Sequence, residues 1–304
     1  MTNIISFPQL GLEFKINEAV GIFNIRWYGV LIAVGFLLAM LYAFYRAKDF
    51  GVISDKIVDV AIWGTIGGIV CARAYFVIFY ENTYESVWDM FKIWEGGIAI
   101  YGGLIGGLGF GILGCYLNKV KILPMVDLAV MGFLIGQGIG RWGNFTNGEA
   151  YGEVMSNPMP WGMQITEVMD GTVVGQTGIV HPCFLYESLW CLLGFVLLHF
   201  YSKHRRFDGE ILLMYLAWYG FERFFVEGLR TDSLWWGNFR VSQVVAAVCV
   251  VVATVVWIFV RIKIKRAQNP EYLIPFGHTD EAQMIIEEYN ANLKSKKAKN
   301  REEE

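Results

Sequence analysis

Long apolar runs alternate with short polar segments along the chain, and about 20 apolar residues can cross the hydrocarbon core of a bilayer as a helix. Seven runs reach that length. They cover approximately residues 26–46, 57–80, 97–118, 122–140, 181–202, 209–229 and 241–262. The pattern therefore predicts an all-α integral membrane protein, a seven-transmembrane-helix bundle. Glycine pairs at 102–103 and 106–107 indicate close packing of helices within it.

The segments outside these runs divide the chain into three parts. Residues 1–25 lack the basic start and compact apolar core of a cleaved signal peptide, and we expect them to form an extracytoplasmic N-terminal segment. Residues 26–262 form the transmembrane domain, with an extracytoplasmic loop at 141–180. Residues 263–304 are charged and helix-prone, which is typical of a solvated cytoplasmic tail.

Lysine and arginine gather in alternate connections, which the positive-inside rule assigns to the cytoplasm. These connections follow the first, third and fifth runs, and the segment after the seventh run is also basic. Residues 148–180, in contrast, hold carboxylates and no lysine or arginine. The charges therefore place the N-terminus outside and the C-terminus in the cytoplasm.

Composition agrees with the membrane assignment. Hydrophobic residues make up 55% of the chain and charged residues only 17%, against roughly 25% in ordinary soluble proteins. The five cysteines lie in or at the ends of apolar runs, without the spacing of a metal site or a secreted disulfide framework. We therefore expect the cysteines to be core residues, and we predict no metal, no cofactor and no nucleic-acid partner.

In the predicted topology, ionisable and hydroxyl groups gather toward the outer ends of six helices, while the inner halves are almost purely apolar. The outer groups are Arg26, Tyr28, Arg73, Tyr101, Gln137, Arg141, His181, Tyr186, Glu187, Glu222, Arg223, Glu227 and Arg230. A charge within the membrane costs at least about 2.5 kcal/mol on insertion scales. Several cations at one depth therefore predict an anion site in the outer leaflet.

Arg141 follows a long apolar run and so places a permanent cation at the bilayer edge. Its guanidinium cannot be deprotonated, and its planar fork of donors matches a phosphate. A simpler interpretation exists for Arg223 and Glu227, which are spaced four residues apart and can neutralise each other on one helix face. Even so, Arg141 is the first candidate for contact with a lipid headgroup.

Other members of the group also have ordinary structural interpretations. Tyr28, Tyr101 and Tyr186 are typical of the aromatic belt at a membrane interface. Asn144 and Asn147 are typical of turns, because Asn and Gly tolerate left-handed backbone. A glycine-rich turn beside Arg141 would also expose backbone donors to a phosphate, so both interpretations can hold.

The run at 140–152, GRWGNFTNGEAYG, resembles the signature of prolipoprotein diacylglyceryl transferases, the first enzymes of bacterial lipoprotein maturation. Four further blocks are similar to that family and occur in the same order. They lie at 25–29, 96–106, 181–187 and 219–230. The resemblance covers about residues 20 to 262 and leaves the C-terminal tail outside.

The resemblance implies a reaction that composition alone does not. A diacylglyceryl group moves from phosphatidylglycerol to the lipobox cysteine thiol of a prolipoprotein signal peptide, forming a thioether and releasing glycerol phosphate. It also implies a multi-pass enzyme of the bacterial cytoplasmic membrane, with its active site facing the outer leaflet, in contact with bilayer lipid and needing no cofactor.

The same resemblance implies roles for particular residues. Arg141, Arg223 and Tyr101 are the catalytic candidates, because the family places essential arginines at the first two positions and a functional residue at the third. A further set would bind substrate or hold the charged network. This set is Tyr28, Asn144, Glu149, Gly152, Glu187, Glu227 and Arg230, with Arg73 as an additional candidate.

The proton acceptor stays open. Many family members have histidine where this chain has Tyr101, and tyrosine, with a reference pKa of about 10, is a poor base near neutrality. Tyr101 can instead orient the phosphate or the acceptor, while Glu149, Glu227 or His181 takes the proton. The departing phosphate is a further alternative.

Two other functional classes fit the residues without the resemblance. An anion transporter could use an intramembrane arginine cluster, but we would then expect polar residues through the inner half as well. A noncatalytic lipid-binding scaffold could keep Arg141 and Arg223 for headgroup recognition alone. Turnover distinguishes the scaffold from the enzyme.

Overall fold

The computed structural model describes residues 2–17, 19–20, 25–80, 86–93, 96–231, 233–267 and 274–302. Helices make up most of this part of the chain. They are α1 (Trp27–Arg46), α2 (Ser54–Phe79), α3 (Ile100–Leu117), α4 (Ile122–Asn147), α5 (Cys183–Ser202), α6 (Glu210–Leu229), α7 (Val241–Arg266) and α8 (Asp280–Glu302).

Six of these helices, α1 to α5 and α7, are long and apolar enough to cross a membrane. The chain is therefore a multi-pass helical membrane protein. A helix occurs at each of the seven predicted spans, but α6 is not among the six because Glu222, Arg223 and Glu227 interrupt its apolar sequence. Helix α4 also continues to Asn147, beyond the predicted end at 140.

The prediction of an all-α fold omitted a four-stranded antiparallel sheet. Its strands run in the order β2-β1-β5-β6, and two short hairpins lie elsewhere. The strands are β1 (Thr2–Phe7), β2 (Leu12–Asn17), β3 (Ala19–Val20), β4 (Ile25–Arg26), β5 (Gln164–Met169), β6 (Thr172–Gln176), β7 (Trp235–Trp236) and β8 (Phe239–Arg240). Buried residues alternate along β1, as expected for a strand with one face on a core.

The buried face of the sheet packs against the ends of two helices. Ile5 and Phe7 of β1 share a core with Phe145 of α4 and Phe184 of α5. The rings of Phe145 and Phe184 lie 4.8 Å apart. The sheet therefore fixes the end of α4 and the start of α5, which carry two of the sequence blocks that resemble the transferase family.

Two compact units make up the chain. The first contains residues 1–42 and 129–273, and the second contains residues 43–128 and 274–304. Within the second unit, α2 and α3 pack closely at glycines: a Cβ on Gly102 would lie 2.8 Å from the Cα of Ala72, and one on Gly106 would lie 2.5 Å from the Cβ of Cys71. This confirms the packing role predicted for these glycines.

The C-terminal tail of the second unit forms α8, which confirms its predicted helical character. Tyr289 of α8 hydrogen-bonds Asp55, and this hydrogen bond raises the pKa of Tyr289 to about 12. Glu281 lies 3.9 Å from Lys121, which also sits over the ring of Phe276 at 5.3 Å. The tail is thus attached to the start of α2 and to the connection between α3 and α4.

Candidate anion site

Glu187 lies at the centre of a buried cluster of arginines in the first unit. Its carboxylate, 1% exposed, lies 2.5 Å from Arg141 of α4, 3.3 Å from Arg223 of α6 and 3.9 Å from Arg230 at the end of α6. A carboxylate that faces three guanidinium groups fixes them in one place. We call the three arginines, with Glu187 and Glu227, the arginine cluster.

Arg223 joins the two carboxylates of the cluster. It lies 2.5 Å from Glu227, one turn further along α6, and it also donates to Glu187. The local pairing of Arg223 with Glu227 is therefore real but accounts for only part of its contacts. Three guanidinium groups meet two carboxylates in these ion pairs, which leaves an excess of one positive charge among the five groups.

Two tyrosines support Arg141, and the sequence interpretation did not single them out. Arg141 donates to the hydroxyl of Tyr219 at 3.3 Å, and the ring of Tyr219 stacks on that of Tyr215 at 5.8 Å. Together with Arg223 and Glu227 they recur every four residues, so one face of α6 carries them all. In the sequence, this four-residue spacing is the signal that places the two tyrosines on the same helix face as Arg223 and Glu227.

The end of α4 differs from the turn predicted there. Asn144 and Asn147 are still helical, and the helix ends at Gly148, whose φ of +66° is the left-handed conformation that glycine adopts readily. Both asparagines donate to the exposed carboxylate of Glu149, at 3.2 and 3.1 Å. Gly148 therefore makes the turn that ends α4, and Glu149 accepts hydrogen bonds from the last turn of the helix.

Gly152 lies where no side chain fits. Its N–H donates to the carbonyl of His181 at 2.9 Å, and it pairs with Arg230 as an antiparallel bridge. A Cβ there would lie 2.7 Å from the Cβ of His181 and 3.0 Å from the Sγ of Cys183. Gly152 thus holds the segment after α4 against the start of α5 and the end of α6.

Tyr28 and His181 lie in the same unit but make other contacts. The ring of Tyr28, at the start of α1, lies directly against Gly143 of α4. The Nδ1 of His181 is 3.2 Å from the hydroxyl of Tyr186, which accepts a hydrogen bond from Trp161. His181, which precedes α5, is therefore hydrogen-bonded to a residue near the start of α5.

Tyr101 and Arg73 belong to the second unit. Tyr101 is the second residue of α3, 41% exposed, with its ring 6.3 Å from that of Tyr75. Arg73 donates to the carbonyls of Asp89, Met90, Gly96 and Gly97 at 2.7 to 2.8 Å. These backbone contacts give Arg73 a structural role in the connection between α2 and α3.

The arginine cluster is suited to holding an anion. Its arginine side chains are 13 to 21% exposed, so their charges are largely removed from water, and forked guanidinium groups bind phosphate with directed, charge-assisted hydrogen bonds. Fold and site together define the class: a multi-pass membrane protein with a buried cluster of arginines around one carboxylate.

Comparison with known proteins identifies the family within this class. Residues 16–259 match the family profile of prolipoprotein diacylglyceryl transferase. A phosphatidylglycerol–prolipoprotein diacylglyceryl transferase of Staphylococcus carnosus is 42% identical over 255 residues, which cover 83% of this chain and 91% of the relative. The protein of that name in Listeria innocua is 39% identical over 254 residues, 83% of this chain and 90% of the relative. The chain therefore belongs to the prolipoprotein diacylglyceryl transferase family and is a transferase of lipoprotein biosynthesis, as the sequence blocks predicted.

Proposed function

We propose that the arginine cluster is the site at which this chain transfers a diacylglyceryl group from phosphatidylglycerol to the lipobox cysteine of a prolipoprotein. This transfer is the first step of lipoprotein maturation. The observation that carries the proposal is the convergence of Arg141, Arg223 and Arg230 on one buried carboxylate. Phosphatidylglycerol supplies the anion that such a cluster would bind.

The chemistry of the transfer explains why fixed cations are needed. The cysteine sulfur attacks the glyceryl carbon next to the phosphate, a sulfur–carbon bond forms, and the carbon–oxygen bond breaks. The bonding electrons leave with the oxygen, so negative charge grows on the departing glycerol phosphate. Arg141 and Arg223 stabilise that charge and orient the headgroup, because Glu187 holds both guanidinium groups before substrate arrives.

The other predicted site residues support these arginines. Glu227 and Arg230 complete the cluster, and Gly152 fixes the segment next to it. Asn144 and Glu149 are hydrogen-bonded at the end of α4, and the ring of Tyr28 packs against Gly143, the residue before Asn144. The role of Tyr101, which belongs to the second unit, stays a prediction that rests on the sequence resemblance.

We infer that α6 crosses the membrane as the seventh span. Arg223 and Glu227 of α6 lie in the cluster, where ion pairs reduce the cost of charge within a bilayer. The positive-inside rule then places the N-terminus and the site at the outer leaflet of the bacterial cytoplasmic membrane, and α8 in the cytoplasm.

Single cysteines at exposed residues of β6 and α8, each introduced into a cysteine-free protein, test this orientation. In intact cells a membrane-impermeant maleimide should label the cysteine in β6 and not the cysteine in α8.

Transfer by purified protein tests the proposed function. The assay mixes the protein with a lipobox peptide and with phosphatidylglycerol that is labelled in its diacylglyceryl group. The peptide should acquire the label and keep it under conditions that hydrolyse thioesters. A peptide with serine in place of the cysteine should acquire no label. Label that appears equally on both peptides, or on neither with folded protein, would contradict the assignment.

A further inference from the structure

Glu222 is a buried carboxyl group of α6 that the ion pairs of the arginine cluster do not include. The residue is 6% exposed, and neither carboxyl oxygen has a hydrogen-bond partner among the residues that the structure describes. It nevertheless interacts electrostatically with Glu187, Arg141 and Arg223. Glu222 therefore lies beside the charges of the cluster with its oxygen lone pairs unused.

An unpartnered carboxyl group at this depth requires an explanation, because burying a polar group without a hydrogen bond costs free energy. The neighbouring carboxylates differ because both form ion pairs with arginine. Glu187 faces three arginines, and Glu227 faces Arg223 at 2.5 Å. Since arginines pair with Glu187 and Glu227, Glu222 is, among the described carboxylates of the cluster region, the one that is free to accept a proton.

We propose that Glu222 is the proton acceptor for the lipobox thiol. The inference rests on the proposed role of the arginine cluster. As the sulfur–carbon bond forms and the carbon–oxygen bond breaks, the thiol proton passes to a carboxylate oxygen of Glu222, directly or through one water. The protonated carboxyl group later releases that proton to solvent, and glycerol phosphate departs.

Charge balance within the membrane favours this route. The departing phosphate gains one negative charge when the carbon–oxygen bond breaks, and Glu222 loses one when it accepts the proton. The total charge of the site therefore stays constant during the reaction. If the proton left for bulk water at that moment, the site would gain a negative charge in a medium of low dielectric constant.

The other groups near the cluster are less suited to this role. The carboxylate of Glu149 is exposed and accepts hydrogen bonds from Asn144 and Asn147. His181 is hydrogen-bonded to Tyr186. Cys183 and Cys191 of α5 interact electrostatically with Glu222, so buried thiols and the carboxyl group already share this region.

The test compares cysteine and selenocysteine lipobox peptides as acceptors for Glu222→Gln protein. A selenol is much more acidic than a thiol, so it is ionised near neutral pH and needs no protein base, whereas the thiol must lose its proton to become the nucleophile. We expect kcat to fall about 10²-fold or more with the cysteine peptide, as for loss of a general base, and to change less than about tenfold with the selenocysteine peptide.

Three comparisons make the result decisive. Arg141→Ala should lose activity with both peptides, since phosphate stabilisation is needed for either acceptor; retained activity there would contradict the proposed site rather than Glu222. Glu222→Asp keeps a carboxyl group and should exceed Glu222→Gln at least about tenfold with the cysteine peptide. An equal loss of kcat with both peptides in Glu222→Gln protein would overturn the assignment of Glu222. So would a loss of kcat with the cysteine peptide alone that occurs in Tyr101→Phe protein instead of in Glu222→Gln protein.

Discussion

Replacing Arg141 with alanine is expected to lower the rate of diacylglyceryl transfer at least about 10²-fold, the effect of removing one donor that stabilises developing negative charge. Arg141 is the α4 member of the cluster, 2.5 Å from Glu187. No other cation on α4 can replace it, because the described helix contains no further lysine or arginine. The measurement is kcat/KM for phosphatidylglycerol with purified protein in the transfer assay.

Two variants separate the charge of Arg141 from its shape. Arg141→Lys keeps the positive charge but loses the planar fork, so it should recover only part of the lost rate. Arg266→Ala removes an exposed arginine at the end of α7 and should leave the rate unchanged. Full activity in Arg141→Ala would exclude Arg141 from the phosphate site.

Of the substitutions in the arginine cluster, replacing Glu187 with glutamine is expected to lower the free energy of unfolding the most. The three arginines around it would then have Glu227 as the remaining carboxylate in the described ion pairs. Removing one partner of a buried ion pair commonly costs about 3–5 kcal/mol, because the other charge stays buried without compensation. The free energy of unfolding of the detergent-solubilised protein should fall by about that amount, and transfer should be lost with it.

Glu13→Gln is the matched control for this change. Glu13 lies on β2 with its side chain 57% exposed, and surface substitutions usually change stability by less than about 0.5 kcal/mol. If Glu187→Gln unfolds at the same temperature as Glu13→Gln and the unchanged protein, then Glu187 does not hold the cluster together.

The membrane helices and the main charged residues could be predicted from the sequence because their signals are local. A run of apolar residues predicts a span by itself, and Arg141 is conspicuous because it follows such a run. The positive-inside rule, applied to the sequence alone, predicts that Arg223 and Glu187 lie at one depth. The structure brings these residues together, as that common depth implied.

The features that were missed depend on contacts between distant parts of the chain. Strand β1 pairs with β5, and Thr2 lies opposite Val168, so neither strand indicates its partner from its own sequence. The unpartnered state of Glu222 is likewise a property of its surroundings. The sequence predicts a loop from residue 141, although residues 141–147 are helical, because the glycine and asparagine residues of this segment are typical of turns.

The pairing of β1 with β5 also constrains the order in which this protein is made. Strand β1 is synthesised before both of its neighbours, and one of them, β5, follows more than 160 residues later, since Thr2 pairs with Val168. Contacts of such long sequence separation form slowly, because a long loop must close before the pairing is gained. The pairing of β1 with β5 must therefore wait until α1 to α4 have been made, so a bulky domain inserted directly before β1 should impair maturation of the enzyme more than one inserted directly after α8.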